Sequence, residues 1–199
     1  MTHSIAQLTL FGISPYSQSR QHDEPLLDGE RLNDYDVRTW RHKMNTVLRD
    51  GEQFVSIPAH GIHQSFAAAA KYSKRQIPGQ GKATWTAKFT SGIALFEDPL
   101  VNVLAKDVGM IVISANADGV RGSGKRVPRR FPMVKSGWST TFDVHILDPI
   151  ITEPVFSEMV ELAGMFIGIG RFRPEKGGTN GRFHLAKLSW SDGRSKKSA

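Results

Sequence analysis

The 199-residue sequence contains no cysteine. Disulfides, thiolate metal sites and cysteine nucleophiles are therefore excluded, and the composition suits a reducing compartment. No apolar run approaches the roughly 18–20 residues that a bilayer-spanning helix needs. Residues 1–7 lack the charged and apolar regions of a secretory signal. We therefore expect a cytoplasmic protein that has no membrane partner.

The common short motifs of catalysis and metal binding are also missing. The sequence has no nucleophile elbow around a serine and no HExxH pair of histidines. Seven histidines are scattered, and only His60 and His63 share a predicted helix, without an acid at the spacing of a zinc site. We therefore expect a non-catalytic protein without a cofactor.

Acidic residues are absent from two basic stretches of the chain. Residues 53–96 contain five bases and no acid, and residues 121–135 contain six bases and no acid. The first 52 residues have a local net charge of −2, whereas the remainder has a net charge of +9. Clustered positive charge attracts polyanions, because neutralised phosphates release their counterions. Nucleic acid is the expected partner, and a solvated basic face is the alternative.

Hydrophobic periodicity predicts a single domain over residues 1–190 and a basic, flexible tail over residues 191–199. Helices are predicted over 59–73, after a short apolar piece over 54–57, and after Thr152; strands are predicted over 4–13, 84–96, 108–114, 138–147 and 182–190. This order is that of a βαββαβ ferredoxin-like (RRM-like) core of the α+β class. Long loop insertions are expected at about 14–53 and 97–135, the first with a short helix or an irregular segment over 33–48. Residues 116–132 are expected to form a flexible loop.

A segment rich in glycine and arginine follows the last predicted helix. It reads Gly168-Ile-Gly-Arg-Phe-Arg-Pro-Glu-Lys-Gly-Gly-Thr-Asn-Gly-Arg-Phe183. Glycines allow a backbone to approach a phosphate closely, and the arginines and lysine supply positive charge. The segment is neither a P-loop nor a dinucleotide fingerprint, because a helix precedes the glycines and no Gly-Lys-Ser/Thr follows them. A glycine-rich hairpin without a ligand is the alternative.

This segment resembles the glycine-rich signature of the RAMP superfamily, the RRM-like proteins of CRISPR effector complexes. The resemblance rests on a C-terminal helix, then Gly168-x-Gly-Arg-x-Arg173, then Gly181-Arg-Phe183 entering the last strand. Residues 55–70 are similar to the first-helix entry of the family, where an Ile-Pro turn precedes a helix rich in small residues. The sequence is most similar to the backbone subunits that polymerise along guide RNA, over residues 4–14, 54–75 and 138–190.

The resemblance implies an extended RNA-binding surface and a hairpin, called the thumb, that inserts between neighbouring nucleotides. Carried over to this chain, the lining segments would be residues 14–20, 59–75, 116–130 and 168–182. The candidate nucleic-acid-binding residues within them are Tyr16, Ser17, Arg20, Lys71, Lys74, Arg75, Lys125, Arg126, Arg129, Arg130, Gly168, Gly170, Arg171, Arg173, Lys176 and Arg182. Tyr16 is the favoured base-stacking residue, because the exit from the first strand is polar.

The sequence therefore predicts a non-catalytic protein that binds single-stranded nucleic acid, with RNA favoured over DNA. We expect a homo-oligomer along the strand, within a larger ribonucleoprotein complex, because the acidic insertion of one copy could meet the basic surface of the next. Three alternatives remain open. They are a phage single-stranded DNA-binding or replication protein, a metal-dependent ribonuclease that uses Asp34 or Asp36, and a mimic or inhibitor of a CRISPR subunit.

Overall fold

The computed structural model describes residues 3–116 and 124–191. The strands in these ranges are β1 (Ser4–Gly12), β2 (Tyr16–Ser17), β3 (Thr46–Arg49), β4 (Glu52–Ser56), β5 (Ile93–Ala94), β6 (Leu100–Leu104), β7 (Gly109–Asn116), β8 (Arg126–Val134), β9 (Ser139–Ile146) and β10 (Phe183–Ser191). The α-helices are α1 (Leu32–Thr39), α2 (Ala59–Ser73), α3 (Thr86–Ser91) and α4 (Glu153–Leu162), and a π-helical turn over Ala163–Ile167 extends α4. None of the helices in the described ranges is long and apolar enough to cross a membrane.

The central sheet has the strand order of a ferredoxin-like unit. Strands β10, β1, β9 and β6 are neighbours in that order and pair antiparallel. Together with α2 and α4 they complete the βαββαβ arrangement, so the predicted α+β, RRM-like fold is confirmed. The β3–β4 hairpin extends the sheet beyond β6, and β5 pairs with the end of β9.

The core lies between this sheet and the two long helices. Alternate residues of β1, among them Leu8 and Leu10, are buried, because successive side chains of a strand point to opposite faces. From the helices, the rings of Phe66 and Phe156 meet edge to face with centroids 5.9 Å apart. The predicted helix over 59–73 and the predicted helix start at Thr152 agree with α2 and α4.

The predicted strand over residues 84–96 is wrong, because α3 and the short β5 occupy this segment. Trp85 and Phe89 are both buried, and their spacing of four residues fits one face of a helix as well as one face of a strand. The strand that completes the sheet is instead β6, which lies inside the predicted insertion over 97–135.

The predicted flexible loop over residues 116–132 is also wrong where the structure describes it. From Arg126 onward this segment is β8, which pairs with β7 in a hairpin and, near its end, with β2. Pro128 and the glycines favour a loop, but Pro128 lies where β8 has a single neighbouring strand, and proline is tolerated in such an edge position. Residues 117–123 and the predicted tail from 192 lie outside the described residues.

The acidic and basic insertions pack against each other within one chain. Asp36 of α1 is 1% exposed, and its carboxylate lies 2.5 Å from Lys43 Nζ. Its other oxygen accepts a hydrogen bond from the backbone N–H of Arg130 at 2.8 Å and lies 3.4 Å from the Arg130 guanidinium. A buried carboxylate needs such partners to offset its lost hydration.

This cluster changes two predictions made from the sequence. Both oxygens of Asp36 are occupied by cations or a backbone donor, so the assignment of Asp36 as a metal ligand is wrong. Arg130 is neutralised by Asp36 and is not a free phosphate contact. The acidic insertion meets a basic strand of its own chain, so this charge pairing no longer supports a contact between copies.

We predict that Asp36→Ala lowers the free energy of unfolding by about 3 kcal/mol, because Lys43 and Arg130 would keep a largely buried charge without a counter-ion. The measurement is urea unfolding followed by circular dichroism. The matched control is Asp34→Ala in the same helix, where the side chain is exposed and we expect a loss below about 1 kcal/mol. Equal losses from the two variants would contradict a structural role for the cluster.

Candidate functional site

A cleft of about 910 Å³ lies between three segments that are far apart in the sequence. Its walls come from the chain that leaves β1 (residues 16–20), the N-terminal part of α2 with its entry (residues 57–68) and the glycine-rich loop (residues 167–175). Three of the four segments predicted to line a nucleic acid are thus brought together. The fourth, residues 116–130, contributes none of its described residues to these walls.

Backbone hydrogen bonds fasten the glycine-rich loop to the chain that leaves β1. The N–H of Arg171 donates to the carbonyl of Ser17 at 2.8 Å, and the N–H of Gly181 donates to the carbonyl of Pro15 at 2.7 Å. Gly170 lies between these contacts with a φ of +74°, and a Cβ there would be 2.5 Å from the Ser17 carbonyl oxygen. Glycine is required at this position both by its conformation and by the close approach.

The role of Gly168 differs from the prediction. Its N–H donates to the carbonyl of Ala163 at 2.7 Å, and its carbonyl accepts a hydrogen bond from the Ser65 hydroxyl of α2 at 2.9 Å. Both backbone groups are therefore used inside the protein, and Gly168 fixes the loop to the helices instead of binding a phosphate. Gly170, in contrast, borders the cleft.

Arg171 presents a guanidinium at the wall of the cleft. Its Cζ lies 3.4 Å from the ring centroid of Phe131 and 4.6 Å from that of Phe172, which hold the cation by cation–π contacts. The Nε is buried without a hydrogen-bond partner in the part of the chain that the structure describes. Burial lowers the pKa of Arg171, although arginine stays charged at neutral pH. A partly desolvated cation without an acidic partner is suited to bind an anion through its terminal guanidinium nitrogens.

The other cations of the glycine-rich loop are engaged by neighbours. Arg173 pairs with Glu175, with a nitrogen–oxygen distance of 2.8 Å, and Lys176 lies 3.6 Å from the same carboxylate. The guanidinium of Arg182 donates to the carbonyl of Met165, at the base of the loop and away from the cleft walls. The loop therefore offers less free positive charge to the cleft than its sequence predicts.

Tyr16 lines the cleft, and Ser17, the next residue, is not among its lining residues. Tyr16 is 1% exposed, packs against Trp138, and its burial raises the pKa of its hydroxyl. The prediction that Tyr16 stacks on a base is therefore wrong, because its ring faces are covered. The hydroxyl of Ser17 is also buried and donates to the carbonyl of Pro132 at 2.8 Å. Ser17 thus joins β2 to β8 and has no donor left for a ligand.

The remaining candidates lie outside the central cleft or at its mouth. Arg20 is exposed and borders both this cleft and a second one of about 840 Å³. Lys71 and Lys74 are exposed on α2, whereas Arg75 forms an ion pair with Glu158 of α4. On the hairpin, Lys125, Arg126 and Arg129 lie at or near the beginning of β8, and the side chain of Arg126 donates to the carbonyl of Ser114 at 2.8 Å.

The structure adds polar residues to the cleft that sequence reasoning missed. His60 and Gln64 lie one turn apart on the exposed side of α2, a spacing that could have identified them. Gln18 is buried and bridges two segments: its amide nitrogen donates to the Ser56 carbonyl at 2.7 Å, and its oxygen accepts from the backbone N–H of Asn45 at 2.7 Å. Nothing in the sequence indicates this bridge, because tertiary packing brings the three residues together.

No family model and no curated relative matches this sequence. Among solved structures, a chain in the type III-B Cmr-beta complex bound to cognate target RNA is similar over 96% of this chain, with a TM-score of 0.54 and 11% identity. Cmr6 from Pyrococcus furiosus is similar over 92% of this chain and 98% of its own, with a TM-score of 0.48 and 13% identity. A chain of a CRISPR RNA-guided surveillance complex is similar over 91% of this chain and 66% of its own, with a TM-score of 0.41 and 8% identity.

The first of these likenesses shows a shared fold of the RRM-like α+β class. More particularly, it is the fold of a chain in the type III-B Cmr-beta complex, which agrees at the level of the fold with the resemblance inferred from the glycine-rich segment. The present chain spans 62% of the length of that Cmr-beta chain.

We predict that Gly170→Ala destabilises the protein more than Gly177→Ala. Both glycines have a positive φ, +74° and +78°, which costs an alanine about 1–2 kcal/mol. A Cβ at 177 would meet open space, but one at 170 would clash with Ser17 and Tyr16, which adds about 1–3 kcal/mol. Urea unfolding of the two variants measures the difference. Equal destabilisation would mean that the loop does not rest on the chain leaving β1.

Proposed function

We propose that this protein binds single-stranded nucleic acid in the cleft between α2 and the glycine-rich loop, without cleaving the strand. The observation that carries the proposal is Arg171, a guanidinium at the cleft wall that packs on two aromatic rings and has no acidic partner within the described residues. A phosphate oxygen is a suitable partner, because arginine presents its donors in a fork that matches phosphate geometry.

The charge around the cleft supports a polymer as the ligand in preference to a single small anion. Arg20 lies at the mouth of the cleft. Lys71 lies one helical turn after the wall residues Ala67 and Ala68, on the same side of α2. These positive groups near the cleft suit a series of phosphates, and the protein has a net charge of +7.

RNA is the favoured ligand, and membership of a larger ribonucleoprotein complex is part of the proposal. The support is the fold, which this chain shares with a chain of the Cmr-beta complex bound to cognate target RNA. RNA and DNA oligonucleotides of identical base sequence, compared at one salt concentration, separate the two ligands directly. Equal affinity for RNA and DNA would mean that the protein binds single strands without distinguishing the two.

We predict that Arg171→Ala weakens the binding of a single-stranded oligonucleotide at least tenfold, because a charge-assisted contact to phosphate is lost. The log–log salt dependence should also become shallower by about 0.7, the value for one phosphate contact on a single strand. Fluorescence anisotropy at several salt concentrations measures both quantities, and thermal unfolding checks that stability is nearly unchanged.

The control for this experiment is Arg31→Ala, which removes the same charge from an exposed position outside the cleft walls. We expect less than a threefold loss of affinity from it, since screening weakens distant charges. Similar losses from the two variants would mean that net charge, and not the cleft, attracts the strand. A strand that is shortened during incubation with Mg²⁺ would contradict the non-catalytic proposal.

We further propose that several copies bind side by side along one strand. The sheet ends at β10 on one side and at β3 on the other, and neither strand has a neighbouring strand on its outer side within residues 3–116 and 124–191. Two different open edges at opposite ends permit a head-to-tail contact that repeats. Binding to a common strand would raise the effective concentration of each neighbour.

The predicted result is that the mass of the complex increases stepwise with the length of the oligonucleotide. Size-exclusion chromatography with light scattering measures it, with protein alone as the reference. One protein per strand at every length would exclude the array and leave a monomeric binding protein.

A further inference from the structure

Two aromatic side chains form a stacked pair on the surface beside the cleft. The rings of Tyr72, on α2, and Phe166, in the π-helical turn after α4, have centroids 5.2 Å apart and an interplanar angle of 22°. Tyr72 is 54% exposed and Phe166 is 45% exposed. Large aromatic residues usually bury most of their surface, so a half-exposed parallel pair needs an explanation.

The π-helical turn explains why Phe166 is exposed. The spacing of Phe156, Met159 and Ala163 predicts that Phe166 continues the buried stripe of α4, and this prediction is wrong. The turn over Ala163–Ile167 has a longer repeat than an α-helix, so it changes the direction in which the next side chains point. The carbonyl of Met165 in this turn accepts a hydrogen bond from the guanidinium of Arg182.

The pair lies on two segments that also form walls of the cleft. Ala68 belongs to the cleft wall, and Tyr72 follows it one helical turn later on the same side of α2. Ile167 also belongs to the wall, and Phe166 is the residue before it. The two rings are not themselves lining residues, and they lie toward the end of α2 opposite to Pro58.

Positive charge accompanies the aromatic pair. Lys71 precedes Tyr72 on α2, and Lys74 follows it two residues later; both are exposed. An apolar protein partner would gain little from adjacent lysines, whereas a nucleotide offers a flat ring for the aromatic face and a phosphate for the ammonium group.

We propose that the Tyr72–Phe166 pair is a base-stacking site for the nucleotide that leaves the cleft, with Lys71 or Lys74 contacting the adjacent phosphate. This site rests on the proposed function, because it lengthens the path of the strand bound at Arg171. A base placed on the exposed face of the pair forms a third ring of the stack. Such stacking is tolerant of base identity, since every base has a π-face.

The experiment compares oligonucleotides that carry one abasic nucleotide at successive positions. At one position the missing base should weaken binding to the wild-type protein by about five- to a hundredfold, which corresponds to one stacked base. Phe166→Ala should weaken binding of the intact oligonucleotide by the same factor. The Phe166→Ala variant should bind the abasic strand and the intact strand equally well, because this variant has already lost the stacking contact.

A control variant separates stacking from a general loss of exposed aromatic surface. Phe96→Ala removes a ring that is 72% exposed, contacts His145 and lies outside the cleft walls, so affinity should not change. If Phe166→Ala weakens every oligonucleotide equally, including all abasic ones, the stacking site is wrong.

The outcome for Arg171 is independent of this test. If Arg171→Ala weakens binding and no abasic position couples to Phe166, the cleft binds the strand and the stacking site does not exist. If Phe166→Ala changes the mass of the free protein in light scattering and leaves the affinity for the strand unchanged, the pair is a protein contact, and the inference is overturned. If the wild type binds no oligonucleotide, both proposals are wrong.

Discussion

The close approach of two backbones at Gly170 is the contact on which the site depends. The loop after α4 lies directly on the chain leaving β1, with Arg171 bonded to Ser17 and Gly181 bonded to Pro15. These hydrogen bonds set the height of the loop above Tyr16 and so define both the floor and one wall of the cleft. Glycine allows this distance, because a Cβ would already occupy the space of the Ser17 carbonyl.

The insertions support this site although they contribute few residues to its walls. Asp36 holds the backbone of Arg130 on β8, and the next residue, Phe131, lies under the guanidinium of Arg171. Ser17 bonds to the neighbouring Pro132. The buried ion cluster in the insertions is thereby connected through β8 to the cation at the cleft wall. Loss of the cluster would therefore disturb the position of Arg171 as well as lower the stability of the protein.

Pairing with acids distinguishes the basic residues from one another. Arg130 is neutralised by Asp36, Arg173 and Lys176 share Glu175, and Arg75 pairs with Glu158. Arg171 instead packs on two aromatic rings and keeps an unpartnered Nε within the described residues. Buried polar groups without partners are unusual in folded proteins, and each needs a physical explanation such as a bound water or ion.

The sequence by itself determined the elements whose patterns are long and unambiguous. These include α2, the start of α4 and the strands β1, β9 and β10, which are five of the six elements of the RRM-like core. Tertiary structure alone decided whether Trp85 and Phe89 belong to a strand or a helix, since a spacing of four fits both. It also decided the burial of Tyr16 and the pairing of Arg130 with Asp36, 94 residues away. The reason is physical: local periodicity sets which face of an element is apolar, but partners distant in the chain set which charges and rings remain exposed.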